Sequence, residues 1–135
     1  MPAEISKELL KDMTVMVIDD HFQTRDMVKT ILRSVGFQKI IQADDGSSAV
    51  YKLKDEPIDL IICDWNMPDM SGIEFLSVIR KNQYHSNVPF LMLTAEVYKE
   101  NVQEAIEKGV TDYIAKPFTA ETLINKVLEH VQIEK

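Results

Sequence analysis

Five short apolar runs alternate along this chain with five segments whose apolar residues recur at helical spacing. The runs are almost continuously apolar, as expected of strands that are covered on both faces. The five predicted strands are Thr14–Ile18, Lys39–Ala43, Leu60–Cys63, Phe90–Leu93 and Asp112–Ala115. Strict alternation of strand and helix favours a parallel sheet with right-handed crossovers. The sequence therefore predicts an α/β fold built on one parallel sheet.

The helical segments carry their own start and stop signals. Ser71 and Glu74 form an S-x-x-E capping box ahead of an apolar stretch, and Ser47 and Thr119 are placed as N-caps of two other helices. Gly36 directly follows the first long amphipathic segment, where a left-handed residue commonly ends a helix. These signals agree with the strand boundaries and support the same alternating fold.

Bulk properties exclude several classes of function. The chain has 135 residues, one cysteine and a net charge of -7, which indicates one domain, no disulfide framework and no affinity of its own for nucleic acid. No segment approaches the ~20 apolar residues of a membrane span, so we expect no membrane insertion and a cytoplasmic location. Residues 1–11 are expected to form an N-terminal leader and residues 12–135 a single domain. Cys63, inside an apolar run, is expected to be an inert core residue.

Charged and polar residues stand at the ends of four predicted strands. Asp19 and Asp20 follow the first strand, Asp64 the third, Thr94 the fourth and Lys116 the fifth. In parallel sheets, ligands bind outside the carboxyl ends of the strands. We therefore expect three carboxylates, a hydroxyl and an ammonium group to meet in one shallow pocket.

These residue types suit a divalent cation and a phosphoryl group. Mg²⁺ prefers oxygen ligands and would offset the repulsion among Asp19, Asp20 and Asp64. A carboxylate can accept a phosphoryl group as an acyl phosphate, which makes Asp64 the candidate nucleophile. Lys116 would neutralise phosphoryl charge and Thr94 would donate a hydrogen bond. Taken singly, these residues could be solvated loop acids, an ion-paired lysine and a helix-capping threonine.

The motifs resemble those of two-component response-regulator receiver domains, and especially their single-domain chemotaxis members. The resemblance rests on the pair Asp19-Asp20, DWNMPDMSG from Asp64 to Gly72, TAE at Thr94–Glu96 and DYIAKPF from Asp112 to Phe118. It covers nearly the whole chain from about Met13. It implies a flavodoxin-like (βα)5 three-layer sandwich with strand order 2-1-3-4-5, whereas composition and periodicity predict only a parallel sheet.

The resemblance also implies how the site works. Asp64 would be phosphorylated by a histidine kinase or a small phosphodonor. Mg²⁺ would be held by Asp20, Asp64 and the backbone carbonyl of Asn66, with Asp19 acting mainly through water. The chain would be a signalling protein that catalyses only its own phosphoryl transfer and dephosphorylation. A phosphatase of the same fold usually needs an acid at the position of Asn66.

Further residues of the site receive roles from the resemblance. Thr94 and Lys116 would bind the phosphoryl group, and the Lys116-Pro117 peptide bond would be cis. Asn66 and Glu96, each two residues beyond a site residue, would tune how fast the acyl phosphate hydrolyses. Their combination resembles that of chemotaxis regulators whose acyl phosphate is short-lived.

The output is expected to be a protein-binding surface, because no DNA-binding module follows the last helix. By resemblance, Thr94 and Tyr113 switch the face made by the last two strands and the last two helices. The expected switch and contact residues are Thr94, Tyr113, Val97, Tyr98, Lys99, Val102, Ala115 and Lys126. The expected partners of this monomer are a chemotaxis histidine kinase, the flagellar motor switch and, as a candidate, a phosphatase.

Two other roles stay open from the sequence. The domain could be a phosphorelay intermediate that passes its phosphoryl group to a histidine phosphotransfer protein, or a sink that drains a kinase without binding the motor. The lifetime of phosphorylated Asp64 would separate the first of these from the motor-binding role.

The three histidines, His21, His85 and His130, lack the sequence spacing of a metal site, so we do not expect a zinc or phosphohistidine role for them. His21 nevertheless departs from the family, because chemotaxis regulators often carry an aromatic residue directly after the aspartate pair. It is expected to stand beside the metal site and could modulate access to it.

Overall fold

The computed structural model describes residues 7–54, 57–95 and 99–131 and contains the predicted parallel sheet. The strand order is β2-β1-β3-β4-β5, as the family resemblance implies. The strands are β1 Thr14–Ile18, β2 Lys39–Ala43, β3 Leu60–Asp64, β4 Phe90–Thr94 and β5 Asp112–Ala115. Two strands are one residue longer than predicted, because Asp64 pairs with Leu93 and Thr94 with Ala115 inside the ladder. The two polar residues are therefore the last residues of their strands.

Helices cover both faces of the sheet. They are α1 Lys7–Leu10, α2 Phe22–Val35, α3 Gly46–Lys52, α4 Gly72–Arg80, α5 Lys99–Glu107 and α6 Ala120–His130. One core cluster joins alternate strand residues to apolar residues of α3, α4 and α5, and a second joins the other strand residues to α1, α2 and α6. Within β1, for example, Met16 lies in the first cluster and Val17 in the second. This alternation follows from the two-residue period of a strand and produces the three-layer sandwich.

Most of the predicted helix caps are present, with one correction. Ser71 and Glu74 form the reciprocal capping box of α4, and the hydroxyl of Thr119 accepts the backbone N–H of Thr122. The predicted cap Ser47 is wrong. Asp45 is the N-cap of α3, because its backbone is extended and its carboxylate accepts the N–H of Ser48 at 2.7 Å.

The amino-terminal part of the described chain contributes to the core. Leu10, the last residue of the short helix α1, is 1% exposed and lies in the same core cluster as Val28 and Leu32 of α2. The end of the predicted leader, 1–11, thus packs against the sheet, while residues 1–6 lie outside the described part of the chain. Within residues 7–54, 57–95 and 99–131, no helix is both long enough and apolar enough to cross a membrane.

Replacing Leu10 with alanine should lower the free energy of unfolding by about 2–5 kcal/mol, because it leaves a cavity in a closed core. Urea unfolding at equilibrium measures the change. The matched control is Leu9→Ala, since the neighbouring leucine is 45% exposed and its loss should cost less than about 1 kcal/mol. Equal effects of the two changes would show that α1 does not belong to the cooperative core.

Candidate functional site

The carboxyl ends of the strands bring the predicted polar residues together. Asp19 directly follows β1, Asp64 ends the neighbouring strand β3, Thr94 ends β4 and Lys116 directly follows β5. Asp19, Asp64 and Thr94 are 0%, 5% and 1% exposed. Two carboxylates and a hydroxyl are thus buried at one edge of the sheet, as the spacing of the strand ends predicts.

Lys116 joins the two buried carboxylates. Its Nζ donates to Asp64 Oδ1 at 2.9 Å and to Asp19 Oδ2 at 3.1 Å. The backbone N–H of Lys116 donates to the carbonyl of Thr94 at 2.8 Å, which fixes the start of the side chain beside β4. The peptide bond between Lys116 and Pro117 is cis, as expected. The ammonium group therefore reaches across β4 to a carboxylate on β3.

The pKa values of this group reflect burial and pairing. Burial raises the pKa of Asp64, and repulsion from Asp19 adds to the increase, while the hydrogen bond from Lys116 opposes it. Burial lowers the pKa of Lys116, but its hydrogen bonds to Asp64 and Asp19 outweigh that effect and the pKa is raised. One ammonium thus partly compensates closely spaced carboxylates, and the remaining negative charge favours a bound cation.

Asp20 and His21 complete an acidic cluster on the open side of the site. Ligand atoms of Asp19, Asp20, His21 and Asp64 all lie within 4.8 Å of one another. The backbone N–H of His21 donates to Asp19 Oδ1 at 2.8 Å, and this bond orients the buried carboxylate. The side chain of Asp20 is 32% exposed, so it offers an accessible oxygen to an incoming ion. The donor set of three carboxylates fits Mg²⁺.

Backbone hydrogen bonds hold the segment after β3 close to Asp64. The backbone N–H of Trp65 donates to Asp64 Oδ1 at 3.0 Å, and the N–H of Gly72 returns to the carbonyl of Trp65 at 2.8 Å. A Cβ at Gly72 would overlap the carbonyl oxygen of Asp64, so only glycine fits this approach. Asn66 lies in this segment and is exposed. The hydrogen bond from Gly72 to Trp65 closes the loop that carries Asn66.

Several predicted output residues lie on β5 and α5. Tyr113 is 38% exposed, and Ala115 is exposed on the same side of the strand, while Ile114 between them is buried. Val102, in α5, is partly buried, and Lys99 is the first residue of that helix. The predicted residues Glu96, Val97 and Tyr98 lie outside the described part of the chain.

The structure adds an ion-pair cluster that the sequence did not predict. Lys126, an expected output residue, donates to Asp112 Oδ2 at 2.8 Å, and His130 Nε2 lies 2.7 Å from the same oxygen. Burial alone would raise the pKa of Asp112, but the hydrogen bonds from Lys126, His130 and the Tyr113 N–H outweigh burial and lower it. The hydrogen bond to Asp112 raises the pKa of Lys126. This cluster ties α6 to β5 beside Tyr113.

Asp112→Asn should lower the unfolding free energy by about 1 kcal/mol at pH 7. Because the folded pKa of Asp112 lies below its unfolded value, the contribution is present above the unfolded pKa, near about 3.9, and is lost as the pH falls through the folded pKa. The difference between wild type and variant in urea unfolding should therefore be full at pH 7 and shrink below about pH 4. Glu104→Gln, at an exposed position of α5 outside this cluster, is the control and should change stability by less than about 0.5 kcal/mol. A difference that grows below about pH 4 would contradict this assignment.

Comparisons with known proteins agree with this geometry. Residues 15–128 match the family model of the response regulator receiver domain. Chemotaxis protein CheY-3 of Vibrio cholerae is 44% identical over 119 residues, covering 88% of this chain and 92% of that protein. Chemotaxis protein CheY of Pseudomonas aeruginosa is 38% identical over 122 residues, 88% of this chain and 98% of its own length.

Solved structures show the same architecture. The chemotaxis response regulator CheY4 of Vibrio cholerae superposes with a TM-score of 0.82 at 36% identity, over 87% of this chain and 97% of that chain. A response regulator described as putative, from Chloroflexus aurantiacus, has a TM-score of 0.81 at 28% identity, covering 87% and 95% of the two chains. Sequence, topology and site agree, and the chain belongs to the response regulator receiver family as a CheY-like receiver domain.

Proposed function

We propose that this receiver domain is a chemotaxis response regulator that is phosphorylated on Asp64 by a histidine kinase in a Mg²⁺-dependent reaction. The observation that carries the proposal is the position of Asp64. Its buried carboxylate lies 2.9 Å from the ammonium of Lys116 and within the same 4.8 Å cluster as Asp19 and Asp20. Phosphoryl transfer requires positive charge around the transferred group. Here the Lys116 ammonium supplies one charge, and the acidic cluster beside Asp64 can hold a metal ion.

The metal would be held by Asp20, Asp64 and the backbone carbonyl of Asn66, with Asp19 acting through water. Mg²⁺ would neutralise charge on the phosphoryl oxygens. The chain's own residues supply the rest. An oxygen of Asp64 attacks phosphorus, and the bond between phosphorus and the donor nitrogen or oxygen breaks as the donor leaves with its electron pair. The product on the protein is an acyl phosphate.

Lys116 and Thr94 would then bind the phosphoryl group. Lys116 already contacts Asp64 Oδ1, so a small movement brings its ammonium to a phosphoryl oxygen. Thr94, at the end of β4, would donate its hydroxyl to another. Asn66 and Glu96 are proposed to control access of water and hence the lifetime of the acyl phosphate. The domain thereby catalyses only reactions of its own Asp64.

The proposed output is phosphorylation-dependent binding to the flagellar motor switch. Two observations support this output. Similar proteins of the family are named for chemotaxis. Tyr113 and Ala115 are exposed on β5, next to Thr94. The contact surface would comprise Val97, Tyr98, Lys99, Val102, Tyr113, Ala115 and Lys126. A histidine kinase, and as a candidate a phosphatase, would act on the monomer in the cytoplasm.

Incubation with acetyl phosphate and Mg²⁺ should add one phosphoryl group to the wild type and none to Asp64→Asn, as measured by intact-protein mass spectrometry. Asp69→Asn is the control, because Asp69 lies in the same segment with a φ of 76° that asparagine tolerates. Equal labelling of Asp64→Asn would refute the mechanism. A long-lived product would favour the phosphorelay role over the motor-binding role.

Tyr113→Ala should leave labelling intact and weaken binding of the activated protein to a motor-switch component at least about tenfold, because exposed tyrosines are common anchors of interfaces. Fluorescence anisotropy with a labelled motor-switch fragment measures the affinity. Tyr84→Ala is the matched control, since Tyr84 is 82% exposed in the segment before β4, at the opposite end of that strand from the site. Loss of labelling in Tyr113→Ala would instead place this residue in support of the site.

A further inference from the structure

The side chain of His21 does not cap the helix that begins after it. His21 is the N-cap of α2, yet it makes no side-chain capping hydrogen bond. N-caps are usually Ser, Thr, Asp or Asn, whose side-chain oxygens accept a backbone N–H of the helix. The imidazole faces the acidic cluster instead, with Nδ1 3.1 Å from Asp19 Oδ1 and 3.2 Å from Asp20 Oδ1.

The 3.2 Å between His21 Nδ1 and Asp20 Oδ1 fits a hydrogen bond and also fits two ligands that share a metal ion. Neighbouring ligands of an octahedral ion lie about 3.0 Å apart when each is about 2.1 Å from the metal. Without the ion, an Nδ1–H group can donate a hydrogen bond to the two carboxylates. With an ion present, the neutral imidazole offers its Nδ1 lone pair in the same direction.

We propose that His21 is a nitrogen ligand of the metal site formed by Asp20 and Asp64, and that it shifts the preference of this site from Mg²⁺ toward later divalent ions such as Ni²⁺. Carboxylates favour Mg²⁺, whereas imidazole favours Ni²⁺, Cu²⁺ and Zn²⁺. The inference rests on the proposed metal site and adds His21 to it as a further ligand.

The surroundings of His21 leave the proposed arrangement open to an ion. The side chain of His21 is 64% exposed. Lys116 contacts Asp19 Oδ2, so the ammonium and the imidazole contact different oxygens of that carboxylate. The nearby guanidinium of Arg25 donates to the carbonyl of Asp19 at 2.6 Å and to Gln42 Oε1 at 3.2 Å. Both flanking cations therefore have partners other than Asp20.

Isothermal titration calorimetry of the untagged full chain with Ni²⁺ alone and with Mg²⁺ alone tests the proposal. A background of His130→Gln is needed, because Asp112, Glu129 and His130 form a second cluster that could bind Ni²⁺. In this background, His21→Asn should weaken Ni²⁺ binding at least about tenfold and change Mg²⁺ binding by less than about threefold.

Asp20→Asn, in the same background, separates this inference from the proposed metal site. Loss of both Mg²⁺ and Ni²⁺ binding in Asp20→Asn, with selective loss of Ni²⁺ binding in His21→Asn, supports the proposal. Unchanged or tighter Ni²⁺ binding in His21→Asn refutes the nitrogen ligand while the acidic site stands. If Asp20→Asn alters neither affinity, the metal site itself is wrong and the inference falls with it.

Discussion

The contact of Lys116 with two buried carboxylates is the interaction on which the site depends. Two carboxylates about 4–5 Å apart repel by about 3–4 kcal/mol at an effective dielectric near 20. Asp19 is fully buried and Asp64 nearly so, and burial adds a desolvation cost. The ammonium partly offsets both terms, and it reaches the carboxylates because β5 lies beside β4, which in turn lies beside β3. The strand order is therefore an electrostatic requirement of the site.

Much of this arrangement could be predicted because it follows from local patterns and one topological rule. Continuous apolar runs predicted the strands, and parallel pairing then placed Asp19 near Lys116, although 97 residues separate them in sequence. The cap of α3 was not predictable in the same way. Asp45 and Ser47 are both good caps, and only the extended backbone of Asp45 decides between them. The ends of β3 at Asp64 and of β4 at Thr94 each lie one residue beyond the predicted end, which is the usual scatter of such boundaries.

Contacts between side chains of different elements were beyond prediction from the sequence. The cluster of Asp112, Lys126 and His130 depends on how α6 packs along β5, and no spacing rule connects a strand residue to residues 14 and 18 positions later. The orientation of His21 is a similar case. The sequence predicts that His21 stands beside the metal site, because it directly follows Asp19 and Asp20, but only the structure shows that its Nδ1 faces both carboxylates.

The two halves of the site are built on different parts of the sheet. Asp19, Asp20 and Asp64 belong to the ends of β1 and β3, where the tight return at Gly72 fixes the chain beside Asp64. The groups proposed to bind the phosphoryl oxygens, by contrast, come from β4 and β5, and these strands also carry Tyr113 and Ala115. Transfer of the Lys116 ammonium from Asp64 to a phosphoryl group would therefore act on the strands of the proposed output surface. On the proposed function, the signal would pass from Thr94 and Lys116 to Tyr113 within the two neighbouring strands β4 and β5.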